Sequence, residues 1–234
     1  MAFIGSTRLD DGTTLYRWNL TQEDSGQLAR ECELQGLDPH VEAKAESRRR
    51  EILAERLLLN RIVGHAALRH DENRAPQVDE LGRHLSIAHT RQELVFAINS
   101  VHAVGVDLES YRDRVLRVRD GFLNGHERTW IAPDDLCAHV VAWTAKEAIF
   151  KVISRRDRVK SYRDDIVLDP FVLPKGLPPA VGAPVVTISH TAAFIERGDG
   201  DACRTTLTLT LTTMLSPVAV LTLARCDDSD CQII

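Results

Sequence analysis

The sequence predicts an α+β fold made of two similar halves that meet near residues 99–102. Three observations predict it. At 234 residues the chain has room for two domains of roughly a hundred residues, each able to bury a core. Strand-like and helix-like apolar patterns follow one another as strand, helices, strands, then helices and strands again. A tight turn falls near Ser100, between two apolar runs of strand length. On this reading residues 1–101 form an N-terminal lobe, 102–226 a C-terminal lobe and 227–234 a solvated tail.

The elements follow in order. Thr14 to Trp18 alternates as a short strand. Thr21 is a candidate helix N-cap, with Glu23 and Asp24 placed to favour the positive end of the helix after it. A longer helix runs from about Val41 to Ile62 on a core stripe of Ile52, Leu53, Leu57 and Leu58, and Gly64 stops it. Strands are expected at about 84–89, 94–99 and 101–107, then helical stretches near 111–118 and 124–131. Pro133 followed by Asp134 and Asp135 starts a helix that reaches Ile153. Five of the nine prolines lie from Pro170 to Pro184, which marks an irregular loop. The rest reads as strand: Val185 to Ser189, Thr205 to Thr213 with Thr–Leu alternation, and Val218 to Ala224 after a turn at Ser216-Pro217.

Composition narrows the function classes. The chain is 44% hydrophobic and 27% charged with a formal charge of −5, which gives no reason to expect nucleic acid or an anionic membrane as partner. Met1 to Asp10 has no basic stretch leading into an apolar one, and no run approaches the ~20 apolar residues of a membrane span. A cytoplasmic protein is expected. Five scattered cysteines without a C-x-x-C pair suggest neither a zinc ribbon nor a disulfide framework, but idle thiols in a reducing compartment.

Two segments carry the chemistry. In Gly105-Val106-Asp107-Leu108-Glu109 a strand ends by sending two carboxylates, Asp107 and Glu109, to one side, because positions two apart share a face. In Trp143-Thr144-Ala145-Lys146-Glu147-Ala148-Ile149-Phe150-Lys151 a helix places Trp143, Glu147 and Lys151 on one stripe. Three acids and a lysine on two rigid elements can hold a hard cation against a polyphosphate, whose oxygens complete the coordination of magnesium. The plainer reading is a pair of solvated strand-end acids and an ordinary i,i+4 ion pair on a helix surface. Only five of the 29 basic residues are lysines, and Lys146 and Lys151 both fall in the second segment.

The order G-[VI]-D-x-E, then about forty residues, then W-[ST]-x-K-E-[AS]-x-x-K resembles the 4′-phosphopantetheinyl transferases, in particular the two-domain kind that activates carrier proteins. Three more segments are similar to that family's: Ser47-Arg48-Arg49-Arg50-Glu51 with Leu53 to Arg56, Leu85-Ser86-Ile87-Ala88-His89-Thr90, and Phe122-Leu123 with Glu127. The resemblance spans roughly residues 45–155. It implies two pseudo-symmetric α/β lobes packed side by side with the active site at their interface. It implies transfer of phosphopantetheine from coenzyme A to a serine of an apo acyl or peptidyl carrier protein, with release of 3′,5′-ADP, by a monomer.

By the same resemblance magnesium is held by Asp107 and Glu147, with Glu109 third, and Lys151 is the catalytic lysine. Lys146 holds phosphate or faces solvent. The serine's base is Glu147 or, as an alternative, Glu127. Arg49 or Arg50, Arg56, Ser86 and His89 meet the 3′-phosphate and nucleotide, and Pro76 belongs to the turn that cups adenine. Arg74-Ala75-Pro76 departs from the family's Gly-Lys-Pro, which weakens the base and ribose contacts. His190 sits in a similar Ile-Ser-His-Thr but after the catalytic helix, so no role is expected for it. Two other classes stay open: a non-catalytic homologue that binds coenzyme A or a carrier protein, and a metal-dependent phosphohydrolase.

Overall fold

The computed structural model describes residues 2–64, 68–70, 76–78, 84–153, 159, 161–197 and 203–226. Arg74, Ala75, Arg83 and the tail 227–234 lie outside the described residues. Helices and strands mix throughout in two compact units, Met1–Ser100 and Val101–Ile234, as an α+β fold requires.

The first unit contains β1 (Phe3–Arg8), β2 (Thr14–Asn19), α1 (Ser25–Leu34), α2 (Glu46–Val63), β3 (Arg69–His70), β4 (Pro76–Gln77), β5 (His84–His89) and β6 (Glu93–Asn99). An antiparallel sheet runs in the order β1-β2-β6-β5. β1 is absent from the sequence reading because it is a largely exposed edge strand with little apolar alternation. The N-cap of α1 is Asp24, not Thr21. Asp24 accepts from the Gln27 N–H at 2.8 Å while the Gln27 side chain accepts from the Asp24 N–H at 2.9 Å, a reciprocal capping box. Thr21 instead donates its N–H and hydroxyl to Asn19.

α2 starts at Glu46, five residues later than expected from Val41. Its own arginines hold the preceding segment as a connector: Arg49 donates to the carbonyls of Ala43 and Lys44, and Arg56 to those of Asp38 and His40. Leu53, Leu57 and Leu58 are buried as the stripe predicts, together with Ala54 and Leu59, while Ile52 is half-buried.

The second unit contains β7 (Ala103–Ser110), α3 (Arg114–Phe122), α4 (Glu127–Trp130), α5 (Leu136–Ile153), α6 (Tyr162–Asp165), β8 (Ile166–Leu168), β9 (Val186–Arg197), β10 (Cys203–Leu215) and β11 (Ala219–Cys226). The sheet is antiparallel throughout, in the order β7-β11-β10-β9-β8, and α5 packs chiefly on β7 and β11. Asp135 accepts from the Ala138 N–H at 2.9 Å and so opens α5 two residues after Pro133. The expected turn at Ser216 is present, its Oγ accepting from the N–H groups of Val218 and Ala219.

Alternation buries Leu207, Leu209 and Leu211, but Thr213 falls on the same buried face, where the pattern calls for another apolar side chain. β9 is much longer than the run ending at Ser189, and His190 lies inside it. Cys32 and Cys137 are free and buried. Cys226 is disulfide-bonded, which corrects the reading of every cysteine as an idle thiol. No helix among the described residues is long and apolar enough to cross a membrane.

Candidate active site

The site begins with a glycine. A Cβ on Gly105 of β7 would lie 2.0 Å from the carbonyl oxygen of Ala148 in α5, so the strand and helix touch backbone to backbone there. Because alternate strand positions share a face, Asp107 and Glu109 are turned toward the same helix. One turn along α5 the close approach brings Lys151 onto the strand. Its Nζ donates to the Val106 carbonyl at 2.8 Å and to Asp107 Oδ1 at 2.9 Å. Asp107 keeps only 15% of its side chain exposed in this pair.

Glu147 lies one turn before Lys151 on the stripe. Burial, then the charge of Asp107, push its carboxyl group up to about 7, against the opposing pull of Lys151 and hydrogen bonding to Tyr162. Burial and the Glu147 charge push the Tyr162 phenol up as well, so it stays a proton donor. Glu109 also raises Glu147, while its own Oε1 accepts from the Ser110 N–H at 2.9 Å and lies 3.9 Å from Arg112 Nε.

Glu109, Glu147 and Tyr162 share the lining of a cavity of about 560 Å³ with Arg112, Phe122 and Trp143. Its aromatic wall is continuous: Phe122 meets Trp143 edge-on at 5.1 Å, and Trp143 stacks over Tyr162 at 6.4 Å. Charged and aromatic groups thus share the lining. Tyr162 and the cavity-lining Arg112 and Arg114 carry no pattern in the sequence that would have marked them.

Hard carboxylate oxygens on one face are the donor type magnesium takes. Their mutual repulsion, visible in the raised Glu147, is what a bound cation would relieve. Among the described residues no three His, Cys, Asp or Glu side chains close into a ready-made metal cage. Any such ion would need phosphate and water oxygens to complete its shell.

Lys146 and Glu127 lie elsewhere. Their side chains are fully buried and paired at 2.8 Å. Lys146 Nζ also donates to the Ile166 carbonyl at 2.7 Å and the Tyr162 carbonyl at 3.3 Å. Glu127 accepts from the N–H groups of Leu168 and Asn124. Burial lowers Lys146 from its ordinary value while the charge of Glu127 raises it. So Lys146 neither faces solvent nor opens on the cavity, and Glu127 does not line it. The pair ties α4, α5, α6 and β8 together and holds the backbone that presents Tyr162.

In the N-terminal unit the arginine run divides. Arg49 and Arg56 brace the connector, and Arg50 donates to the Leu20 carbonyl at 2.9 Å. Arg48 turns to two buried acids, Glu51 at 3.1 Å and Glu55 at 3.7 Å. Burial pushes Glu55 up to about 6 despite Arg48. His89 Nδ1 lies 3.5 Å from Glu51. Ser86 is buried, and three positions from His89 on one strand it points to the opposite face. Pro76 is half-buried in β4, paired with His70. Arg48 and His89 therefore converge on Glu51, while Arg50 is committed to a carbonyl and Arg49 and Arg56 to carbonyls and to Glu46 and Asp38.

Residues 103–175 match the sequence model of a family described as the 4′-phosphopantetheinyl transferase superfamily. The matched stretch includes β7, α5, α6 and β8, and so every group that lines the cavity. No curated protein matches the chain.

Proposed function

Because residues 103–175 match the 4′-phosphopantetheinyl transferase superfamily, we propose that the chain moves the 4′-phosphopantetheine group of coenzyme A onto a serine of an apo acyl or peptidyl carrier protein. The serine oxygen forms a bond to the β-phosphorus, the bond to the bridging oxygen breaks, and 3′,5′-ADP leaves. The observation that carries the proposal is the meeting of Glu147 and Lys151 with Asp107 where α5 touches β7.

Asp107 and Glu147, with Glu109 on the same face, are the residues that would hold magnesium. Bound there, magnesium would neutralise charge on the pyrophosphate. Glu147 takes the serine proton, and a cation bound beside it would relieve the burial and the Asp107 charge that raise its carboxyl group, keeping it ionised to accept that proton. Lys151 sets its charge beside the oxygens that become negative as 3′,5′-ADP departs. Glu127 has no open face for a serine, since Lys146 and two backbone donors occupy it, so the base role goes to Glu147. The aromatic wall of Phe122, Trp143 and Tyr162 suits the uncharged pantetheine arm. The 3′-phosphate is assigned to the N-terminal unit, on Arg48 and His89, with the remaining donors of Arg49, Arg50 and Arg56 as the alternative.

The test is incubation with coenzyme A, magnesium and a panel of apo carrier proteins, read by intact mass. A gain of one phosphopantetheine, lost in Asp107→Asn and Glu147→Gln, is expected. Coenzyme A binding without transfer would point to a non-catalytic homologue, and phosphate release from simple esters to a hydrolase. Either result overturns the proposal.

A further inference from the structure

A single chain of hydroxyls joins the motif helix to three strands. Thr144 Oγ1 lies 3.0 Å from the Val140 carbonyl, 3.1 Å from that of Val141, and 2.8 Å from Thr222 Oγ1. Thr222 Oγ1 is 2.9 Å from Thr213 Oγ1, which is 3.0 Å from His190 Nε2. The three threonines are fully buried and His190 keeps 8% of its surface.

The chain has only one direction. A hydroxyl owns one proton, and a carbonyl can only accept. Thr144 gives its proton to the preceding turn of its own helix, so it accepts from Thr222. Thr222 then accepts from Thr213, and Thr213 accepts from His190 Nε2–H. That order fixes the imidazole as the neutral Nε2–H tautomer. Its bare Nδ1 has no partner among the described residues, so a second N–H there would be buried unmet. Burial holds His190 down to about 4, with Asp169 acting in the opposite sense.

The ends of this chain touch both elements that carry the acids. Thr144 is on α5, three residues before Glu147, and Thr222 is the direct cross-strand partner of Asp107. Apart from this chain, Lys146 reaches the Ile166 carbonyl of β8 and Lys151 reaches β7, at the two ends of the sheet, and the rest of the α5 face that meets it is small or apolar, Ala142, Ala145, Ala148 and Ile149 among them. Apolar contact is non-directional and tolerates rotation, whereas a hydrogen bond does not. We infer that Thr144, Thr222, Thr213 and His190 are positioning residues, whose one-way hydrogen-bond chain fixes the rotation of α5 on the sheet and so sets Glu147 and Lys151 against Asp107. The catalytic consequence rests on the transferase reading above; the tautomer and the placement of α5 do not.

Three measurements test it. In the wild-type protein at neutral pH, nitrogen-15 NMR should find His190 protonated at Nε2 and bare at Nδ1; the other tautomer or an imidazolium overturns the inference. Thr222→Val keeps the shape and removes the link, while Thr222→Ser keeps the hydroxyl. The valine variant should shift the amide resonances of Glu147 and Lys151 and lower kcat about tenfold or more, with KM for coenzyme A changed less than about twofold. The serine variant should restore both. Unmoved resonances, or a serine variant as impaired as the valine one, overturn it. A valine variant that does not fold leaves the tautomer and the serine variant to decide. A wild type that transfers nothing, yet shows the tautomer and the valine-specific shifts, would refute the transferase reading and leave the positioning of α5 intact.

Discussion

With its carboxyl group raised to about 7 by burial and by Asp107, Glu147 keeps a proton in the folded protein at pH values where the unfolded chain, at an ordinary 4.5, has lost it. Below 4.5 both states are protonated and the group contributes nothing; above about 7 both are ionised and the cost of the buried charge is borne in full. Stability of the metal-free protein should therefore fall as pH rises through that window. Glu147→Gln should flatten the fall, as read by urea unfolding at several pH values across it. An unchanged slope in the variant would mean that other groups cause it. The 3′-phosphate assignment separates just as cleanly. Arg48→Ala and His89→Ala should lose preference for coenzyme A over its dephospho form, by roughly ten- to a hundredfold in apparent affinity. Arg50→Ala should instead lose about 1 kcal/mol of stability with its bond to Leu20; a retained preference in the first two and a lost one in Arg50→Ala would reverse the assignment. The sequence could supply the arginine run but not its partners. Which carbonyls and acids the guanidinium groups of Arg48, Arg49, Arg50 and Arg56 meet depends on where the preceding chain is laid, as with Arg56 and the Asp38 carbonyl.

At the scale of elements, β7 and α5 are one device. Gly105→Ala would drive a methyl group into a backbone carbonyl that cannot swing aside. We expect a loss of about 1–3 kcal/mol and a larger proportional loss of turnover, because α5 must lift from Asp107. Wild-type turnover in that variant would show that the contact does not set the site. The Lys146–Glu127 pair should behave differently. Lys146→Met alone strands a buried carboxylate and should cost about 3–5 kcal/mol, while the double change Lys146→Met with Glu127→Leu should recover much of it. Chemical denaturation of the three proteins reads the difference, and additive losses would contradict the buried pairing. The stripe Trp143, Glu147, Lys151 was legible because helical spacing is a local property. Gly105 lay in plain view, yet its role depends on a helix more than forty residues downstream. Lys146 sits on the same helix with no local mark of burial, since its partners come from three other elements. Thr213 did leave a mark: it breaks the Thr–Leu alternation on the buried side.

At the scale of the molecule, the two hydrophobic cores share no residue among those described. One draws from Ala2 to Ile98, the other from Ala103 to Cys226. Each unit expressed alone should therefore unfold cooperatively, and residues 1–100 without a cooperative transition would mean that their core is completed from beyond Ser100. The order of elements suggested two halves, but the family resemblance carried most of that reading; the edge strand β1 was not legible, since its exposed face leaves little pattern.

β7 stands at one end of its sheet and hydrogen-bonds to β11, whose residues lie more than a hundred positions later. Every side chain assigned to the chemistry has been synthesised by Tyr162, but the strand that seats Asp107 begins only at Ala219. A nascent chain thus holds a complete set of reactive groups with nowhere to place them, and closing that long loop is among the slower steps of folding. The ribosome must pass Cys226 before the first competent molecule can exist. A message broken before Ala219 would leave the acids on an unpaired strand, exposed to proteases and to other sheet edges rather than to substrate.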